Sequence, residues 1–198
     1  MTAVQTGIVV LAAGSSARLG RPKQSLLYQG QTLLQKSIAA AMATNTEQVL
    51  VVLGATGMEL EVPPSTNRLH YMLNTGWQEG MASSIRCGVK AISTQWPEIE
   101  NVLLMACDQP FVNSEVLDKL VTLQRQTGSL VVASKYRDVA GIPAIFNKAL
   151  FPALLQLKGD TGAKKIIAAQ QERIAWVDFP LGDIDIDTSE DYLRLQKP

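Results

Sequence analysis

Four unbroken apolar runs recur along the chain: Ile8-Val-Val-Leu-Ala-Ala13, Gln48-Val-Leu-Val-Val-Leu53, Asn101-Val-Leu-Leu-Met-Ala-Cys107 and Leu130-Val-Val-Ala133. Short β-branched runs without polar alternation belong to strands covered on both faces. Leu69-His-Tyr-Met-Leu73 is a weaker candidate of the same kind. Segments of helical period separate them. Thr32 to Ala43 is apolar at Leu33, Leu34, Ile38, Ala41 and Met42, and Ala82 to Ile92 repeats the spacing through Ile85, Val89 and Ile92. Ser114 reads as the N-cap of a third helix, with Glu115 in its first turn and Gly128 closing it. Strand, helix and strand in alternation dictate a parallel sheet with covered faces. The expected fold is therefore α/β, a three-layer α/β/α sandwich with a mostly parallel, Rossmann-like sheet.

With 198 residues, 46% hydrophobic and 18% charged, the chain suits one domain and excludes intrinsic disorder. Beyond residue 135 the pattern is less regular. It holds Gly141-Ile-Pro-Ala-Ile-Phe146, an apolar helix around Ala149 to Leu157, a second helix from Thr161 to Gln171, an edge or antiparallel strand at Ile174–Phe179, and a capped terminal helix from Ser189. The 18 basic and 18 acidic side chains cancel, so no global field draws the protein to nucleic acid or to a membrane surface. Any anion site is local. The two cysteines, Cys87 and Cys107, lack metal or redox spacing and suit a reducing environment; the first apolar run is too short to span a bilayer and no charged segment with a cleavage site accompanies it, so a cytoplasmic location is expected. His70, the single histidine, lies in a strand pattern, so neither zinc chemistry nor a histidine-based triad is supported.

The first strand runs into Leu11-Ala-Ala-Gly-Ser-Ser-Ala-Arg-Leu-Gly-Arg-Pro-Lys23. Gly14 and Gly20 allow close backbone approach to an anion, Ser15 and Ser16 add small donors, and Arg18, Arg21 and Lys23 crowd cations into the same loop. That composition suits a polyphosphate. Five residues separate the two glycines and Arg21 follows, so the loop is not a P-loop, and the dinucleotide fingerprint is also missing. Asp108 follows an apolar strand directly, which puts its carboxylate at the carboxyl end of the sheet, where open α/β folds bind ligands. Asn74 to Ser84 leads into a helix starting near Glu79 and offers amide, hydroxyl and glycine groups at its mouth. Gly159-Asp-Thr-Gly-Ala163, followed by Lys164 and Lys165, reads either as a second phosphate loop or as a helix start capped by Asp160.

The Leu11–Lys23 loop resembles the signature of the MobA-like nucleotidyltransferases, and in particular their molybdopterin cytidylyltransferase branch. Later blocks match in order: Asn74 to Ser84 with Gly88, Cys107-Asp-Gln-Pro110, Gly141-Ile-Pro-Ala144 with Phe146, Gly159 to Ala163, and Asp185-Ile-Asp-Thr-Ser-Glu-Asp191. The resemblance implies the nucleotide-diphospho-sugar transferase fold, with a nucleotide-binding part over about 1–135 and an acceptor-binding part over about 136–198 of a single domain. It implies Arg18 and Lys23 as catalytic cations, and nucleotide contacts from Leu11, Ala12, Ala13, Gly14, Ser15, Ser16, Lys23, Asn74, Gly80, Ser83 and Ser84. Acceptor contacts fall to Gly141, Pro143, Gly159, Asp160 and Gly162. Mg²⁺ prefers one or two carboxylates with phosphate oxygens and water, and Asp108 with Asp187 or Asp185 would supply them. Asp187 could instead cap the terminal helix.

The implied reaction moves CMP from CTP to molybdopterin, with transient delivery to a recipient molybdoenzyme. Ala13 favours CTP over GTP, while Gln109 and Ser189 depart from the branch, which usually has methionine and proline there. The rivals are a nucleotidyltransferase for another phosphorylated acceptor or with GTP as donor, a non-catalytic carrier of the molybdenum cofactor, and a nicotinamide oxidoreductase.

Overall fold

The computed structural model describes residues 4–14, 19–54, 60–137, 139–170 and 174–196. Its strands are β1 (Thr6–Ala12), β2 (Leu27–Tyr28), β3 (Gln31–Thr32), β4 (Gln48–Leu53), β5 (Leu69–Leu73), β6 (Asn101–Ala106), β7 (Val131–Tyr136), β8 (Val139–Asn147) and β9 (Ile174–Asp178). Its helices are α1 (Leu33–Met42), α2 (Met81–Gln95), α3 (Ser114–Thr127), α4 (Phe151–Leu154), α5 (Lys164–Ala168) and α6 (Ser189–Leu195). Seven strands form one sheet in the order β5-β4-β1-β6-β8-β7-β9, and β2 and β3 make a small separate ribbon. All pairings in the large sheet are parallel except those of β8 with β6 and β7. The reason is local: too little chain separates β7 from β8 for a crossover, so the second strand has to return antiparallel.

The sheet is covered on both faces, as unbroken apolar strands require. Every residue of β1 is buried. Ile8, Val10 and Ala12 point into a core completed by Leu34 and Ile38 of α1 and Leu117 and Leu120 of α3. Val9 and Leu11 point the other way, into a core shared with Ile85, Val89 and Ile92 of α2, Leu154 of α4 and Ile167 of α5. The three-layer α/β/α sandwich is thus present. A third, smaller cluster of Leu19, Leu26, Leu33, Ile186 and Leu195 lies beside the others and ties the loop after β1 to α6.

Several boundaries differ from the sequence reading. Asn113, not Ser114, caps α3, its side chain accepting from the Val116 N–H at 3.1 Å. The segment from Lys148 forms a 3-10 turn before the short α4, and α5 covers only Lys164–Ala168, the chain before it turning at Gly159, which has a positive φ, and Asp160. β9 is an edge strand, but it pairs parallel with β7. Thr188, in a capping box with Asp191, starts α6, which leaves Asp187 out of the cap.

β1 has β4 on one edge and β6 on the other, and α1 and α2 lie on opposite faces. That is a topological switch point, where a crevice opens beyond the carboxyl ends of the strands. α2 lies close to the sheet at Gly88. A Cβ there would sit 2.5 Å from Val9 Cγ1 and 3.3 Å from Val52 Cγ2, in rigid strands. Glycine-to-alanine changes inside helices ordinarily stabilise by about 1 kcal/mol. Gly88→Ala should do the reverse, costing about 1–3 kcal/mol by overpacking in urea unfolding, and a stabilised variant would refute this packing account.

Candidate active site

A cavity of about 320 Å³ opens at that switch point. Leu11, Ala13 and Gly14 after β1, Lys23 and Gln24 in the returning loop, and Ala106, Cys107 and Asp108 at the end of β6 line one side. Trp77, Gln78, Gly80, Met81 and Ser84 at the start of α2 line the other, and Asp160 and Asp187 complete it. Lys23 is the centre of charge. Its ammonium lies 2.6 Å from Asp108 Oδ2 and 2.9 Å from Asp187 Oδ1. Residues far apart in sequence meet there because their backbones are joined nearby. The Ile186 N–H donates to the Asp108 carbonyl at 3.0 Å, and the Cys107 N–H donates to the Leu11 carbonyl at 3.2 Å.

Lys23 itself is placed by a 3-10 turn, Lys23–Ser25, which starts after Pro22. α6 holds the rest of this loop. Tyr192 Oη and Gln196 Nε2 both donate to the Leu27 carbonyl, at 2.9 and 2.7 Å, and the Arg21 guanidinium lies 5.1 Å from the centre of the Tyr192 ring. One small apolar cluster and one carbonyl thus connect the lysine loop with the helix that follows Asp187.

The structure gathers many of the sequence-derived residues on the cavity: Leu11, Ala13, Gly14, Lys23, Gly80, Ser84, Asp108, Asp160 and Asp187. Arg18, Ser15 and Ser16 lie outside the described residues. Ala12, Ser83 and Asn74 stand behind the lining. Asn74 Nδ2 lies 2.8 Å from Ser83 Oγ and 3.1 Å from Ser84 Oγ, and its Oδ1 accepts the Gly76 N–H, so this side chain builds the turn into α2. Gly159 and Gly162 are also off the lining. The Gly159 carbonyl accepts the Ala82 N–H at 3.0 Å, while a Cβ on Gly80 would collide with Asp160 Oδ1. Asp160 therefore abuts the start of α2, and Ala163, not Asp160, is the N-cap residue of α5.

Gly141 and Pro143 are not on the cavity either. Gly141 makes room for the Tyr136 hydroxyl, and the Pro143 carbonyl accepts from Ser134 Oγ at 2.7 Å. Gln109 ties this region to the strand end, with Nε2 donating to the Ile142 and Gly182 carbonyls at 3.0 and 2.8 Å. Residues that the sequence reading passed over are Gln24, Trp77, Gln78, Met81, Ala106 and Cys107. Each lies inside or next to a quoted motif, but nothing in its spacing marks it as facing the crevice.

Burial alone would depress the Lys23 ammonium, but the Asp108 and Asp187 carboxylates overcome it and hold the pKa above its ordinary value. Lys23 is charged across the physiological range. The Cys107 thiol is pushed up by burial and then by the Asp108 charge, which leaves it a packing group and no nucleophile. Asp185 is not on the cavity lining. Its carboxyl is raised by desolvation and then by Asp108 and Asp187.

Two carboxylates converging on one positive centre, with a cavity beside them, form a donor set suited to a hard divalent cation that keeps sites for water and phosphate oxygens. The ammonium shows where a positive charge is favoured. Lys23→Met should therefore bind Mn²⁺ at least about tenfold more tightly than the parent protein without nucleotide, because the resident cation is gone. Equal affinities in a calorimetric titration would count against a shared seat. Asp185→Asn has a pH signature. A carboxyl raised on folding disfavours the folded state once ionised, so the variant should melt higher at pH 7–8 and the gain should vanish below the ordinary pKa of 3.8. A gain equal at both pH values would refute it.

Residues 8–174 match the model of the MobA-like NTP transferase domain. The chain is 28% identical to the nicotine blue oxidoreductase of Paenarthrobacter nicotinovorans, over 94% of each chain. It is 23% identical to the molybdenum cofactor cytidylyltransferase of Escherichia coli K12, over 96% of this chain and 94% of that protein. Rv0371c of Mycobacterium tuberculosis H37Rv, solved in complex with manganese, superimposes with a TM-score of 0.76 at 26% identity over 98% of both chains. One such protein is thus known with a divalent metal bound. With most of its length matching the family model and the loop, cavity and carboxylates placed as described, this chain belongs to the MobA-like NTP transferase family.

Proposed function

We propose that this protein is a cytoplasmic, Mg²⁺-dependent molybdenum cofactor cytidylyltransferase, moving CMP from CTP to molybdopterin with release of pyrophosphate. The observation that carries the reading is the Lys23 ammonium set between Asp108 and Asp187 at the cavity mouth beside Ala13 and Gly14. Family membership supports a nucleotidyl transfer. The choice of CTP and molybdopterin rests on Ala13 and on the resemblance to the cytidylyltransferase branch.

In this reading Leu11 to Ser16, Gly80 and Ser84 hold the nucleotide, with Ala12, Asn74 and Ser83 shaping the walls behind them. Gly141, Pro143, Gly159, Asp160 and Gly162 shape the acceptor side, the part from about residue 136 onward. A terminal phosphate oxygen of molybdopterin attacks the α-phosphorus, the bond to the bridging oxygen of the β-phosphate breaks, and pyrophosphate departs. The acceptor phosphate is already ionised near neutral pH, so no strong base is required. Lys23, drawn from the carboxylates toward the triphosphate, balances charge on the α-phosphate and the leaving group together with Arg18. Asp108 and Asp187 would hold Mg²⁺, which when bound supplies Lewis-acid stabilisation of phosphate oxygens. Delivery of the product to a recipient molybdoenzyme would follow as a transient contact.

The test is pyrophosphate release by the purified protein with Mg²⁺ and molybdenum-loaded molybdopterin, comparing CTP, GTP, UTP and ATP. Release with CTP alone is expected. Preference for GTP would overturn the donor, and CTP binding without turnover would support a cofactor carrier instead. The name of the Paenarthrobacter relative supplies a second comparison: NADH-dependent dye reduction without pyrophosphate release would replace the transferase reading. Asp108→Asn should lower the rate by about 10²-fold or more with the far-ultraviolet circular dichroism unchanged, and a wild-type metal-dependent rate would remove Asp108 from its role.

A further inference from the structure

Gln24 is 2% exposed, yet it contributes to the cavity wall between Lys23 and the glycine loop. Its Nε2 donates to the Ala12 carbonyl at 2.7 Å and to the Gly14 carbonyl at 3.2 Å. These two carbonyls flank Ala13, so a single side-chain amide clips the first turn after β1 from below. The orientation is not interchangeable, because an amide oxygen turned to the same place would face two other oxygens. Oε1 consequently lies buried with no hydrogen-bond partner among the described residues. An unsatisfied buried acceptor loses its hydration without return, so folding of the free protein gives little reason for this arrangement.

The loop geometry supplies a reason. In a trans peptide the N–H points opposite to the C=O. A carbonyl turned toward a triphosphate would repel it, whereas an N–H would bind it. We infer that Gln24 is a positioning residue for the nucleotide: by holding the Ala12 and Gly14 carbonyls it keeps them off the phosphate chain, and by fixing the Ala12–Ala13 peptide it sets the Ala13 N–H, which points the opposite way, for it. Lys23 and Gln24 then divide one task. The first supplies mobile positive charge, and the second fixes the backbone dipoles next to it.

This inference rests on the nucleotidyltransferase reading, and the measurement separates the two. Titration calorimetry with CTP and with GTP in the presence of Mg²⁺ is run on the parent protein, Gln24→Met and Gln24→Glu, alongside thermal melting. Gln24→Met keeps the side-chain length while removing both donors and the orphaned oxygen. It should weaken nucleotide binding by at least about tenfold, move the melting temperature by no more than about 2 °C, and leave the KM for the acceptor unchanged. Gln24→Glu should bind more weakly still at pH 8 and recover relative to Gln24→Met toward pH 5, where its protonated carboxyl can again donate to a loop carbonyl. Unaltered nucleotide affinity in Gln24→Met overturns the inference, and so does an affinity loss matched by a large loss of melting temperature. A parent protein that binds neither nucleotide removes the functional reading itself.

Discussion

β1 is paired on both edges and covered on both faces, and this one constraint sets where the chemistry can lie. A strand so enclosed offers no polar group along its length, so whatever it contributes to a ligand must come after its last pair, Ala12 with Leu53. β6 is equally enclosed and ends beside it, bringing Asp108 to the same level. The apolar runs therefore fix the level of the site before any functional residue is considered. The glycine loop, the lysine turn and the strand-end carboxylate gather at the carboxyl edge because the rest of the sheet cannot receive them.

The charge cluster at that edge depends on a second, weaker piece of structure. Asp187 reaches Lys23 only because Ile186 is packed with Leu19, Leu26, Leu33 and Leu195 and bonded to the Asp108 carbonyl. That cluster is small compared with the two cores flanking the sheet. It joins the first and last thirds of the chain, so the lysine loop and the second carboxylate move as a unit with α6. The ion pairs themselves are partly exposed, with side-chain accessibilities of 13% for Lys23, 20% for Asp108 and 33% for Asp187, so water competes for the ammonium. Partly exposed ion pairs of this kind contribute modestly to stability and can exchange their partners.

The layers, the parallel strands and the position of Asp108 were legible in the sequence, because burial on both faces leaves unbroken apolar runs and strand ends mark the crevice. Caps were read less well. Ser114 and Asn113 are both good N-caps, and only backbone geometry selects Asn113. The two alternatives for Asp187 could not be separated by spacing. Thr188 takes the cap, and Asp187 turns to Lys23. Gln24 was hidden because its role depends on which carbonyls lie within reach of its amide, a distance with no sequence signature. The short α4 and α5 were overestimated, since apolar period alone does not show where the chain turns at Gly159 and Asp160.

At the start of α2 part of the helix mouth is engaged by the chain itself. A glycine-rich approach to a 15-residue helix reads as an anion seat, because free N–H groups and a positive dipole end converge there. In the folded chain the Ala82 N–H is taken by the Gly159 carbonyl and the Ser83 N–H by the Gly80 carbonyl, while the Asp160 carboxylate stands against Gly80. The protein's own anion thus occupies the neighbourhood of the helix end. On the opposite wall Lys23 stands between Asp108 and Asp187, so carboxylates line that side as well. With carboxylates facing the cavity from both walls, a polyanion could settle there only with a bound cation or with Lys23 released from its partners.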